Sequence, residues 1–207
     1  MTPIFRLYAN LPSRLAALLL PGVLARTGGP TPHLTFDDGP HPHTTPALLD
    51  IFAEHGQSGT FFLLADRANA YPEWVRRIAD EGHTVAAHGT RHTDFWKHPR
   101  RAVAEMGEAA QRLEQAAGTA IRYIRPPYGH LTPALWRWAQ QTGRTVALWD
   151  AMPGDFLPSA TPERLARTMQ RRARPGSLVV LHDGPAVTPE AVRLALRSGL
   201  RSDALPR

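Results

Sequence analysis

The sequence predicts an α/β fold on parallel strands, and three observations carry that expectation. Short apolar or β-branched runs alternate with segments of helical periodicity along almost the whole chain. Distinctive polar residues follow nearly every one of those runs, as they do where chemistry sits at the carboxyl ends of strands, in a barrel or in an open doubly wound sheet. The chain has 207 residues, 43% of them hydrophobic, enough to bury a core as one domain with an N-terminal appendage.

The appendage comes first. LAALLLPGVLA at 15–25 follows Arg6 and Arg14 and is the only run that resembles a targeting segment. It is too short to span a bilayer. Pro21 breaks it, and an apolar stretch (Ile4, Phe5, Leu7, Tyr8, Leu11) already precedes it, so residues 1–30 read as a helical segment packed on a domain at 31–207 in preference to a signal peptide. The Gly/Pro-rich stretch Thr27–Pro32 joins the two.

The strands are expected at His33–Phe36, Thr60–Leu64, Thr84–Ala87, Ile121–Arg125, Thr145–Trp149 and Ser177–Leu181. Four Thr-Pro pairs (Thr45-Pro46, Thr132-Pro133, Thr161-Pro162, Thr188-Pro189) mark helix starts, because Thr can cap while Pro takes the first helical position. After Thr45 the apolar stripe is Leu48, Ile51, Phe52 and His55, with Gly56 as the stop. Further helices are expected over 72–81, 101–117, 133–142, 162–173 and 189–198.

A formal net charge of +6 could suit an anionic partner. The arginines are scattered, however, and their tightest groups (Arg76-Arg77, Arg100-Arg101, Arg171-Arg172 with Arg174) fall near helix ends, which reads as a solvated surface and not as a nucleic-acid footprint. There is no cysteine, so a bound metal must be held by His, Asp or Glu.

Asp37-Asp38-Gly39, His88 and His92, Arg125, Asp150 and Asp155, and His182-Asp183 each follow or end an expected strand. Parallel strands bring such residues to one rim. His88 and His92, four apart, can face one cation, and with an Asp they form a set that leaves coordination positions open for water. Two aspartates at the end of a buried strand are costly unless paired or metal-bound, so one can hold a metal while its neighbour stays free as a base; Asp-Asp-Gly-Pro is equally a good turn sequence. His41, His43, His83 and His98 read as surface or loop histidines.

LTFDDGP at 34–40, HGTRH at 88–92, RPPYG at 125–129 and VVLHDG at 179–184 resemble, in order and spacing, the motifs of the polysaccharide deacetylases, carbohydrate esterase family 4. TPALLDIF and GTFFLL extend the likeness, which covers about residues 33–184. The resemblance implies a distorted (β/α) barrel with fewer than eight parallel strands, about seven. It also implies one divalent metal, usually zinc with cobalt, nickel or manganese as alternatives, on Asp38, His88 and His92. By the same resemblance Asp37 is the base, His182 the acid, Arg125 the partner of Asp37, and Asp155 the group that holds the His182 imidazole. The Tyr128 backbone N–H serves the oxyanion, Leu181 lines a pocket for the acetyl methyl, and Pro126 belongs to the substrate-binding set. The implied reaction is hydrolysis of the N-acetyl group of an amino-sugar glycan, of chitooligosaccharide or peptidoglycan type, by a metal-activated water.

Two departures stand out. The family's fourth motif, Asp-x-x-Asp-Trp, here has Met152 at the first Asp and Phe156 at the Trp, while Asp155 is kept; Asp150 is a candidate replacement for the missing carboxylate. Loss of the Trp alters a groove wall more than the chemistry. Trp96, after the second motif, is placed to stack on a sugar or to pack at the rim. Competing readings are an O-acetyl esterase or small cyclic-amide hydrolase on the same scaffold, and a non-catalytic glycan-binding domain. The sequence favours the cytoplasm over export and carries no sign of oligomeric state.

Overall fold

The computed structural model describes residues 13–207. Its strands are β1 (Val23–Leu24), β2 (His33–Asp37), β3 (Thr60–Leu63), β4 (Thr84–Ala87), β5 (Tyr123–Ile124), β6 (Thr145–Ala147) and β7 (Leu178–His182). They pair in parallel throughout, in the order β1-β6-β5-β4-β3-β2-β7. The sheet curls until its two edges meet: Ala151 bridges Val179 and Arg26 bridges Ser177. The result is the distorted (β/α) barrel of fewer than eight strands, and the open-sheet alternative falls away.

Outside the sheet lie α1 (13–19), α2 (Thr44–His55), α3 (Ala65–Ala70), α4 (Pro72–Asp80), α5 (Ala102–Ala117), α6 (Pro133–Gln141), α7 (Pro162–Arg172) and α8 (Val187–Arg197). The core centres on β2, whose five residues are all buried. Phe36 stacks on Phe61 with centroids 5.0 Å apart and meets Phe52 of α2 edge-on at 5.8 Å. Each such ring removed from water contributes on the order of 1.5–3 kcal/mol. Gly59 is required beneath them, since a Cβ there would come within 2.9 Å of Phe52 and 3.1 Å of Phe36.

Five of the six expected helices agree to within one residue at each end, and α8 starts two residues early. Two short elements were not anticipated. α3 has six residues, too few to show a helical period, and β1 lies inside the apolar run read as helical. Residues 13–19 of that run are helical, but Val23 and Leu24 pair with Val146 and Ala147, so the sheet begins ahead of residue 31. The other apolar residues cited for a packed N-terminal helix, Ile4 to Leu11, lie outside the described residues. Among the described residues no helix is long and apolar enough to cross a membrane.

His83 is not a surface residue. It is buried, lies 5.2 Å from the Phe52 ring and 5.6 Å from Phe61, and its Nδ1 accepts the Gly59 N–H at 3.0 Å. Burial pushes its pKa down to about 4. His41 also has a local structural role, its Nδ1 accepting the N–H groups of His43 and Thr44 at the start of α2.

Candidate active site

The carboxyl ends of β2, β4, β5 and β7 bring Asp37, His88, Arg125 and His182 to one mouth of the barrel. Arg125 is fully buried, and its fork is satisfied on every side. Nε donates to the Ala147 carbonyl at 2.7 Å, Nη2 to the Leu148 carbonyl at 2.8 Å, and Nη1 to Thr35 Oγ1 at 2.9 Å and to Asp37 Oδ1 at 2.6 Å. The Phe62 ring lies 3.9 Å from the guanidinium carbon. Burial lowers the Arg125 pKa and the Asp37 charge opposes that shift. Removing either partner of such a buried pair typically costs about 3–5 kcal/mol, because the other charge is stranded.

Asp38 follows at a left-handed φ of +73°, a conformation unfavourable for a residue with a side chain and found preferentially at functional sites. Its Oδ1 lies 3.6 Å from His88 Nε2 and 3.4 Å from His92 Nε2, and the ligand atoms of the three residues fall within 4.8 Å of one another. The protonation pattern makes this cluster a candidate metal site. His88 Nδ1 sits 2.8 Å from the Arg125 carbonyl, which can only accept, so Nδ1 carries the proton and Nε2 presents a lone pair. Burial pushes the His88 pKa down to about 3, keeping that ring neutral. A lone pair therefore faces a carboxylate oxygen that is itself buried without a hydrogen-bond partner. Two acceptors so opposed repel unless a cation lies between them. Donors about 2.0–2.1 Å from one tetrahedral centre stand roughly 3.3–3.4 Å apart, close to the separations seen. Asp37 Oδ2 lies 3.9 Å from His88 Nε2, beside the cluster and outside it.

Across the mouth, His182 Nδ1 meets Asp155 Oδ1 at 2.9 Å, and the His182 backbone N–H donates to Asp155 Oδ2 at 2.6 Å. Thr188 Oγ1 adds a third hydrogen bond to Asp155, at 2.9 Å. Burial alone would lower the His182 pKa; the Asp155 hydrogen bond and charge, with Asp37 and Asp38 adding to them, outweigh it and raise the pKa to about 9. Phe156 packs edge-on against the His182 ring at 5.2 Å and is 46% exposed.

The opposite rim is aromatic. Tyr128, at φ +59°, packs edge-on to His92 at 4.3 Å and is 58% exposed. Beyond it lie His130 and Trp96. Of the other expected site residues, Leu181 is fully buried in β7 next to His182, and Pro126 is buried under the turn, where its carbonyl accepts the Gly129 N–H at 2.9 Å. Asp150 is not near His182 and does not replace the missing carboxylate. After β6 the backbone crosses the seam to the beginning of β7, where Asp150 accepts from Ser177 Oγ at 3.1 Å and lies 3.6 Å from Arg14.

Two residues at the site had no role assigned to them from sequence. Thr35 bridges Arg125 to the Val179 carbonyl. Asp183 is buried, accepts from Thr44 Oγ1 and Thr45 Oγ1 at 2.5 Å each, and donates its N–H to the Asp37 carbonyl at 2.8 Å. Its Oδ2 packs so closely on Gly39 that a Cβ there would come within 2.4 Å. Asp183 thus clamps the turn that carries Asp37 and Asp38. The available signal was its place beside His182 in VVLHDG.

Comparison with known proteins agrees with this geometry. The family model described as polysaccharide deacetylase matches residues 25–147. A chitooligosaccharide deacetylase of Sinorhizobium fredii is 36% identical over 76% of this chain and 74% of its own length. A peptidoglycan-N-acetylglucosamine deacetylase of Bacillus cereus is 33% identical over 73% of this chain and 55% of its own. Among solved structures, a peptidoglycan N-acetylglucosamine deacetylase in complex with 4-naphthalen-1-yl-N-oxidanyl-benzamide superposes with a TM-score of 0.82 at 27% identity, covering 89% of this chain and 90% of that one.

Proposed function

The chain belongs to the polysaccharide deacetylase family and is an enzyme of its hydrolase class, and from that premise we propose that it removes N-acetyl groups from amino-sugar glycans of chitooligosaccharide or peptidoglycan type. The observation that carries the reading is the acceptor-against-acceptor cluster of Asp38, His88 and His92, flanked by the Arg125–Asp37 and Asp155–His182 pairs. A divalent cation on those three residues, zinc by the family resemblance, would supply a Lewis acid that acidifies water and polarises the acetyl carbonyl.

The chain's own groups do the rest. Asp37, held by Arg125 through Oδ1, takes the proton of the attacking water on Oδ2. The Tyr128 backbone N–H donates to the oxygen that becomes negative. His182, engaged at Nδ1 by Asp155, delivers the Nε2 proton to the departing nitrogen. An amide needs that proton because an amide anion is a very poor leaving group, and a His182 raised to about 9 stays charged at neutral pH to provide it. This need favours the amide over an O-acetyl ester, whose leaving oxygen is less demanding. Phe156 on one side and Tyr128 with Trp96 on the other flank the bound glycan.

The test is acetate release from N-acetylglucosamine oligomers by protein stripped with a chelator and then restored with zinc or cobalt. Release that disappears on stripping and returns with metal is the expected result. Folded, metal-restored protein that releases acetate from aryl acetates but from no oligomer would overturn the glycan N-deacetylase reading.

A further inference from the structure

Trp96 is the most exposed of the Phe, Tyr and Trp residues among the described residues, at 62%, yet three neighbours fix its position. Its ring lies flat on the His130 imidazole, centroids 3.9 Å apart and planes 2° from parallel. Its Nε1–H donates to the Leu131 carbonyl at 3.3 Å, and its backbone N–H to Asp94 Oδ1 at 3.0 Å. The same Asp94 oxygen lies 2.7 Å from His130 Nδ1, so one carboxylate fixes both members of the stack. Immobilising a large apolar ring and leaving it wet has no value to the folding of the chain, and an exposed aromatic surface next to a reaction centre marks a binding site.

The stack is also continuous with the reaction centre. From His92 the contacts run outward ring by ring, to Tyr128 at 4.3 Å, to His130 at 5.5 Å and to Trp96 at 3.9 Å. Two rings thus separate Trp96 from the metal-ligand set, so a sugar whose acetyl group lies at the cluster does not itself lie on the indole. With one face on His130, the other face of Trp96 is the flat apolar surface onto which the axial C–H bonds of a pyranose pack.

We infer that the Asp94–His130–Trp96 assembly is a saccharide platform for a sugar unit adjoining the one that is deacetylated, so that the substrate is an oligosaccharide chain and not a single amino sugar. This rests on the deacetylase reading, and it adds chain length as the property selected. Tyr128 is the link between platform and centre, which places both on one bound chain.

The experiment compares wild type with Trp96→Ala, Trp96→Phe and His130→Gln on chitooligosaccharides of one to five units, with thermal melts as the folding control. In Trp96→Ala the KM for the pentamer rises roughly tenfold, the size expected for one lost stacking contact, while kcat changes much less. The advantage of the oligomers over single N-acetylglucosamine shrinks by the same factor. Trp96→Phe recovers part of it, and His130→Gln, which leaves the indole unsupported, loses a smaller part. A second readout needs no turnover: titration of the metal-free protein with chitopentaose changes the tryptophan fluorescence of wild type and not that of Trp96→Ala. Wild type that deacetylates oligomers while Trp96→Ala keeps its KM at every length overturns the platform alone. If wild type releases no acetate at all, the deacetylase reading fails, and the fluorescence titration still decides whether the platform binds a saccharide.

Discussion

Four helices in this protein begin at a Thr-Pro pair, and they are of two kinds. At α6 and α7 the threonine serves its own helix: Thr132 Oγ1 accepts the Leu135 N–H at 3.2 Å and Thr161 Oγ1 the Arg164 N–H at 3.3 Å. At α2 and α8 the threonine lies inside the helix, and its hydroxyl donates to a buried carboxylate, Thr45 to Asp183 and Thr188 to Asp155. The N-cap residues themselves, His43 of α2 and Ala186 of α8, make no side-chain cap bond. A cap is worth about 1 kcal/mol to a helix. These two helices pack against each other, and their hydroxyls bond the carboxylates beside the Asp38–His88–His92 cluster. The same dipeptide therefore stabilises a helix end in one region and a reaction geometry in the other.

The sharpest way to break this contrast is through the carboxylates that receive those hydroxyls. Asp155→Asn keeps the shape and removes the charge facing His182. Burial then dominates, and the His182 pKa falls from about 9 toward or below its ordinary value. The acid is charged only below its pKa, so the wild-type rate is lost as pH rises through about 9, and the variant's rate is lost at lower pH. On an N-acetyl substrate near pH 8 the expected loss is about 10³–10⁴-fold. A pH–rate profile whose alkaline limb stays at its wild-type position would detach Asp155 from the acid.

Asp183→Ala acts on the other side. It leaves Thr44 and Thr45 without their acceptor and removes the clamp on the turn at Asp38 and Gly39. Residues that hold metal ligands in place typically change metal affinity by about 10–100-fold when lost. A zinc titration against a competing chelator should find a weakening of that order, together with a lower melting temperature. Asp183→Asn, which accepts from one of the two hydroxyls through Oδ1 and can only donate to the other through Nδ2, should recover part of the affinity. Unchanged zinc binding in Asp183→Ala would mean that Asp183 holds the helix and not the turn.

Much of this architecture was legible in the sequence because its signals are local. Strand runs from His33 onward, helix periods and the chemistry at strand ends all survive without tertiary information. β1 was hidden because a two-residue strand has no period of its own and sits in an apolar run. His83 looked like a loop residue because it follows Gly82, and only the ring packing of Phe52 and Phe61 draws it inside. The destination of a threonine hydroxyl was not legible at all: Thr45-Pro46 and Thr161-Pro162 are the same two letters, and what separates them is a carboxylate more than a hundred residues away in the chain. Asp150 failed for the same reason, since the backbone path after β6 decides which end of β7 it meets.

The smallest effects test the contrast most directly, with one substitution made at each kind of helix start. Thr161→Val deletes a cap exposed at the start of α7, so it should cost about 1 kcal/mol, lower the melting temperature by roughly 2–4 °C in a chain of this size, and leave kcat and its pH dependence alone. Thr188→Val deletes no cap. It removes one of three hydrogen bonds to Asp155 and leaves the two from His182, so it should lower kcat several-fold and shift the alkaline limb slightly, with little change in melting temperature beyond that of the lost buried bond. If the two variants differ only in stability, and in the same direction, then the hydroxyl on Asp155 is packing and the distinction between the two pairs of helices has no bearing on catalysis.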